Sequence, residues 1–185
     1  MLEEAMNAIA EDGLAALTMS ALAERLGTSG GHILYYFGSK DLLLLAALRW
    51  SEAALAEERG RLLARRLSAP RRLDLFLALY LPRGPRDPRW TLWIELWARI
   101  PANEELRAAQ RELDRAWQDD LESLLAKGVE RGHFAPTDVP ARASELLALL
   151  DGLSTRVVLA DDAAAAPRAA LESARRAAEL LVPRA

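Results

Sequence analysis

Apolar positions in the first fifty residues recur at helical spacing and are interrupted twice by turn residues. Leu2, Ala5, Met6, Ile9 and Ala10 fall at i, i+3, i+4, i+7 and i+8, the stripe of an amphipathic helix that Asp12-Gly13 ends. Thr18 stands where an N-cap is needed, and Met19, Leu22, Ala23 and Leu26 make the stripe of a second, short helix. Gly27 supplies a left-handed turn, Ser29 caps a third short helix over 29–37, and Ser39 caps a fourth with Asp41 in its first turn. On the third helix Gly30, Ile33, Leu34 and Phe37 share one side, and Gly31, His32, Tyr35 and Tyr36 share the other. One side can dock on a small core, while the other offers hydroxyls and an imidazole. Short helices joined by a glycine turn in this way predict a helix-turn-helix.

The rest of the chain also patterns as helix. The Pro-free stretch from Ser39 to about Leu67 predicts one long helix, and Pro70 suits the first turn of another reaching Tyr80 or Leu81. Pro82 to Pro88 reads as a loop. Arg89 to Ile100 is apolar almost all round, with only Thr91, Glu95 and Arg99 in a polar line, the pattern of a buried helix. Asn103 caps a helix running to about Arg131 and Gly132, Asp138 opens one through Leu159, and Pro167 opens the last, ending near Val182. The expected fold is all-α, with about nine helices, no strand and no internal repeat.

The run Gly27-Thr28-Ser29 through Ile33-Leu34-Tyr35-Tyr36-Phe37-Gly38-Ser39-Lys40-Asp41-Leu42-Leu43 resembles the signature of TetR-family (tetracycline-repressor-like) transcriptional regulators. The serine, the second glycine, Tyr35, Phe37 and the Ser39-Lys40 pair match; Tyr36 stands where the family usually has histidine, and Leu34 where it often has tyrosine. The resemblance covers residues 1 to about 48. It implies a DNA-binding domain over 1–46 and a ligand-binding and dimerisation domain over 47–185. The implied protein is a homodimeric repressor that releases a palindromic operator in double-stranded DNA when a small-molecule effector binds. By the same resemblance Thr18, Tyr35 and Lys40 hold phosphates, and Ser29, Gly30, His32 and Tyr36 sit nearer the bases, with Gly31 on the same face. The family usually carries a basic arm before its first helix, whereas this sequence opens inside that helix.

Charge complicates this picture. Residues 1–48 carry Glu3, Glu4, Glu11, Asp12, Glu24 and Asp41 against Arg25 and Lys40, a balance of −4 within a chain of net charge −3. Nonspecific DNA affinity comes from Lys and Arg, so few phosphate contacts are expected. The alternative reading is a helical small-molecule-binding or scaffold protein that has lost DNA affinity. A salt-dependent shift with promoter DNA separates the two. The basic cluster of Arg59, Arg61, Arg65, Arg66, Arg71 and Arg72 reads as the solvated outside of two helices.

Composition narrows the remaining chemistry. Apolar residues are 51% of the 185, enough for a real core. There is no cysteine, and two distant histidines make no metal set. No nucleophile–base pattern, P-loop or dinucleotide fingerprint is present, so no enzyme activity, cofactor or metal is expected. With no basic-then-apolar leader and no apolar run of bilayer length, the expected location is the cytoplasm, away from membranes.

Two further constellations stand out. Trp90, Trp93 and Trp97 recur at i, i+3 and i+7, and the resemblance implies an internal ligand cavity among helices four to seven. Trp93 and Trp97 are the expected lining, with Glu95 as a polar group, Trp50 facing inward from the long helix, and Trp117 and Phe76 joining them. An aromatic cage with a carboxylate suits a cationic ligand. The long helix joining this region to the helix-turn-helix could act as a lever between them. The last two helices pair a leucine stripe with an alanine-rich one: Leu146, Leu150, Leu153 and Val157 against Ala170, Ala174, Ala177 and Leu181. One subunit is not expected to hide all of this, and a two-fold four-helix bundle would.

Overall fold

The computed structural model describes residues 1–185 as nine α-helices: α1 (Leu2–Ala16), α2 (Met19–Leu26), α3 (Gly30–Phe37), α4 (Lys40–Leu63), α5 (Ala69–Tyr80), α6 (Pro88–Trp97), α7 (Glu104–Glu130), α8 (Val139–Val158) and α9 (Ala165–Leu181). A single 3-10 turn, Ile100–Ala102, precedes α7, and the only extended pairing is an isolated bridge between Phe134 and Arg184. No helix is long and apolar enough to cross a membrane.

Local chemistry sets most boundaries. Thr18 Oγ1 accepts from the Ala21 N–H at 3.0 Å, Ser29 Oγ from His32 at 3.1 Å, and Asp138 Oδ1 from Ala141 at 3.2 Å. Asn103 Oδ1 accepts from both Glu105 and Leu106 at the start of α7. Three ends differ from expectation. α4 stops at Leu63, four residues short of Leu67, where Arg72 Nη1 donates to the Leu63 carbonyl at 3.1 Å and satisfies an end of the helix. α6 gives way after Trp97 to the 3-10 turn, because Pro101 has no N–H and disfavours helix at the residue before it. α9 begins at Ala165 rather than Pro167, since Asp162 Oδ1 accepts from the N–H groups of both Ala164 and Ala165 at 2.9 Å.

The chain divides into two compact units. Unit one comprises residues 1–54 and 86–113, and unit two comprises 55–85 and 114–185. The division passes through α4 and α7, not at the chain-order boundary near residue 46, because α6 packs on α1 and so belongs with the N-terminal helices. Unit one buries Ile9, Leu22, Ile33, Leu44 and Trp90. Unit two buries Phe76, Leu121, Leu125, Leu146 and Ala174. Each fully buried side chain of this size contributes roughly 1.5–3 kcal/mol to the unit that holds it.

Candidate nucleic-acid interface and effector site

Gly27, at φ 63° and ψ 34°, makes the left-handed turn that sends the chain from α2 into α3. Leu22 and Ile33, both fully buried, dock the two helices. This leaves His32, Tyr35 and Tyr36 outside, with Tyr35 85% and Tyr36 65% exposed. The three rings form one strip: His32 and Tyr36 meet edge-on at 4.8 Å, and Tyr35 and Tyr36 at 5.8 Å. Thr18, Ser29 and Gly31 are exposed beside it, and Gly30 is half-buried. Leu34 departs from the expected apolar side and is 49% exposed. The docking edge is the narrow line Gly30–Ile33–Phe37, and Leu34 lies 100° around from Ile33.

The acidic excess of residues 1–48 does not fall on this face, since α3 carries no acid. Glu4 and Glu11 gather on Arg25, whose guanidinium the Glu11 hydrogen bond pushes above its ordinary pKa. Asp41 pairs with Arg99 at 3.1 Å. Lys40 is turned toward α1, where its Nζ donates to the Leu14 and Ala15 carbonyls at 3.4 and 3.3 Å.

Glu95, expected as a polar group of the ligand cavity, is engaged by α1 and by Arg99. α1 breaks at Gly13, whose φ of 77° and ψ of 153° are not helical, and the freed Leu14 N–H donates to Glu95 Oε1 at 2.9 Å. Glu95 Oε2 receives Arg99 Nη1 at 2.6 Å. A carboxylate engaged on both oxygens is a structural bracket between α6, α1 and the start of α4.

The aromatic residues expected in one cavity belong to two sets. In unit one Trp93 and Trp97 lie 6.0 Å apart, as do Trp90 and Trp97; Trp90 is buried and Trp97 half-buried. Trp50, expected to face inward, is 41% exposed, because the helical turn that brings Glu52 inside carries Trp50 to the surface. Glu52 is 4% exposed, accepts from Trp93 Nε1 at 2.8 Å and stands 4.0 Å from Arg89.

In unit two Phe76 and Tyr80 meet Trp117 edge-on at 5.4 and 4.7 Å. The Arg59 guanidinium lies 3.9 Å over the same indole and bonds Asp120 at 2.7 Å. Arg59 is thus buried, as is Arg72, contrary to the solvated-face reading of the arginine cluster; Arg61, Arg65, Arg66 and Arg71 are exposed as expected. The Tyr80 hydroxyl donates to Asp151 Oδ1 at 2.6 Å, and burial pushes that carboxyl above the usual range. Tyr80 and Asp151 were not singled out from the sequence. The available signals were Tyr80 four residues after Phe76 on one face, and an acid inside the leucine-rich run of α8.

The leucine and alanine stripes are largely consumed within the chain. Leu146, Leu150, Val157, Ala170 and Ala174 are buried, because α8 packs on α9 and α9 on α5. Leu153, Ala177 and Leu181 are half-buried, whereas Leu149 and Leu180 stand exposed. The expectation that one subunit could not hide these stripes is corrected for the first five residues. The apolar side chains left outside are Leu149 and Leu153 on α8, one turn apart, and Leu180 on α9. A separate open groove of about 410 Å³ runs along α5 and α9, where Asp74 is held by Arg71 and Arg175.

Known proteins resemble the chain over both parts. Residues 1–47 match the family described as bacterial regulatory proteins, tetR family, and residues 69–183 match the BetI-type transcriptional repressor C-terminal domain. HTH-type transcriptional regulator BetI of Burkholderia cenocepacia is 30% identical over 166 residues, covering 86% of this chain and 81% of that protein. Its counterpart in Burkholderia mallei is 31% identical over 164 residues, covering 88% and 82%. Among solved structures, a transcriptional regulator from Saccharomonospora viridis in complex with choline aligns with a TM-score of 0.88 and 26% identity, over 98% of this chain and 94% of that one. A TetR regulator from Haloarcula marismortui aligns at 0.83 and 26%, over 98% and 97%. With its helix-turn-helix, its all-helical fold and both family matches in place, the chain belongs to the TetR family of transcriptional regulators, is not an enzyme, and carries a BetI-type C-terminal domain.

Proposed function

We propose that the protein is a homodimeric repressor whose α3 reads a palindromic operator and that a small organic cation releases it. The observation that carries the DNA half is the exposed ring strip His32–Tyr36–Tyr35 on a helix whose opposite edge is locked by Ile33. Tyr35 and Thr18 hold phosphates, with Lys40 once it swings from the end of α1; Ser29, Gly30, Gly31, His32 and Tyr36 approach base edges. The exposed Leu34 adds an apolar surface of the kind that meets thymine methyl groups. With few basic residues near α3, phosphate contacts are few and the salt dependence shallow.

Two observations support an organic cation: choline occupies the similar regulator from Saccharomonospora viridis, and this chain sets carboxylates beside indole and phenol rings. The leftover stripe of Leu149, Leu153 and Leu180 supplies the two-fold contact, with the half-buried Ala177 and Leu181 at its margin. Two reader helices so related need half-sites about one DNA turn apart, roughly 34–36 Å. Selection from random DNA should return such a near-palindrome, and choline should lower affinity for it. Recovery of no enriched sequence would sink the operator reading. An operator affinity unchanged by choline and by its hydroxyl-free analogue would sink the effector reading.

A further inference from the structure

The open groove along α5 and α9 lies wholly within unit two and shares no residue with the Glu52 and Asp151 clusters. At about 410 Å³ it has the size of a small-molecule site. Its floor is apolar, made by the buried Leu73 and Leu77 of α5 together with Phe134 and Val182. One end is built by backbone pairing. The Ala135 N–H donates to the Pro183 carbonyl at 2.9 Å, and Phe134 bridges to Arg184, which holds the C-terminal residues beside the Phe134 ring. Gly128 admits that ring, since a Cβ there would run into it.

The rim is cationic. Arg71, Arg175 and Arg184 line it with only Asp74 and Glu179 against them, in a chain whose net charge is −3. Asp74 gives one oxygen to each of two guanidiniums, Arg71 of its own helix at 2.6 Å and Arg175 of α9 at 2.5 Å. One carboxylate thus draws a cation from each wall to the groove, and both guanidiniums keep N–H donors to spare. Such exposed pairs add little to the fold, whereas two like charges brought together beside an apolar trough favour a further anion.

We propose that this groove is a second ligand site, beyond the cation reading above, and that it takes a monocarboxylate with an apolar body. The carboxylate meets Arg71 and Arg175, whose planar forks suit it, and Arg184 adds positive charge at the built end. The hydrocarbon covers Leu73, Leu77, Phe134 and Val182. Asp74 is the internal anion with which the ligand competes for the two guanidiniums.

Calorimetric titration of the full chain with octanoate, octanol and octylammonium, which share one hydrocarbon length, tests both halves of the site. Octanoate should bind about tenfold more tightly than octylammonium, with octanol between them. Arg175→Ala should weaken octanoate about fivefold and leave octanol unchanged. Asp74→Asn should strengthen octanoate about threefold, because the competing charge is gone, whereas a purely structural Asp74 predicts weakening. Arg176→Ala removes an exposed arginine of α9 that bonds Ser173 outside the groove and should change nothing. Equal affinity for octanoate and octanol, or an Arg175→Ala effect on both, overturns the carboxylate assignment. Weaker octanoate binding by Asp74→Asn, or an Arg176→Ala loss as large as that of Arg175→Ala, overturns the placement. Octanoate affinity that falls as protein concentration rises gives the groove to a second copy of this chain instead. A chain that binds choline but no octanoate at millimolar concentration overturns this site and leaves the cation reading standing.

Discussion

The Leu14 N–H donates to Glu95 Oε1 at 2.9 Å across 81 residues of sequence, joining the break in α1 to α6. Arg99 extends the bracket to Asp41 at the start of α4, so two carboxylates and one guanidinium tie α6 to α1 and α4. Glu95→Ala leaves the Leu14 N–H without its acceptor and should destabilise unit one by about 1–3 kcal/mol. Glu95→Gln keeps an acceptor oxygen and should cost less. Denaturant unfolding of the three chains measures this, and an alanine variant as stable as wild type would remove the bracket's role.

Gly13 makes the same break possible. Its φ of 77° with ψ of 153° belongs to a region open essentially to glycine alone, while an added Cβ would meet Glu95 Oε1 at an ordinary 3.5 Å. Gly13→Ala should therefore be destabilising by about 1–3 kcal/mol through backbone strain rather than through a clash. A thermal melt unchanged by the substitution contradicts that account.

Tyr35→Ala should weaken binding to every DNA sequence and leave the salt dependence unchanged, since a neutral hydroxyl on a phosphate carries no base information and releases no counterion. His32→Ala should alter preference at one base pair by about 1–3 kcal/mol. Both side chains are exposed, so folding should survive. Binding arrays with wild type and variants separate the two roles; identical profiles for all three would exclude this face of α3.

Leu149 and Leu150 are neighbours with different fates. Leu149 is exposed, whereas Leu150 is fully buried in its own unit. Leu149→Glu should give folded monomers, by placing charge in the proposed two-fold contact. Leu150→Glu should unfold unit two. Sedimentation with circular dichroism distinguishes them, and a Leu149→Glu dimer as tight as wild type would move the contact elsewhere.

Asp151 makes stability depend on pH in a definite direction. Burial raises its pKa in the folded chain, against the smaller opposing effect of the Tyr80 hydrogen bond. The native state thus binds the proton more tightly than the unfolded state does, and stability falls as pH rises from the ordinary carboxylate range through the folded pKa. Asp151→Asn removes that slope. Its melting temperature should match wild type in acid and exceed it above the transition, and a gap that narrows with rising pH would reverse the assigned sign.

The helix-turn-helix was legible because it is built locally. Thr18, Gly27 and Ser29 act on backbone groups within a few residues, and the α3 periodicity put His32, Tyr35 and Tyr36 outside without reference to the rest of the chain. Leu34 was misplaced because periodicity assigns a side chain to a face but not the width of the edge that docks.

Sequence alone determined the helical class, the order of the nine helices, most of their caps and the face that α3 turns outward, because these depend on hydrogen bonds and apolar spacing within one or two turns. Tertiary structure decided which acid does what: Glu95 became a bracket for Leu14, Glu52 the partner of Trp93, and Asp151 the acceptor of Tyr80. It also decided which leucines of α8 were already used, Leu146 and Leu150 being buried while Leu149 stayed outside. A carboxylate's role follows from the partner that meets it. These partners lie 81, 41 and 71 residues away, separations at which only the packing of whole helices, and no local pattern, brings two side chains together.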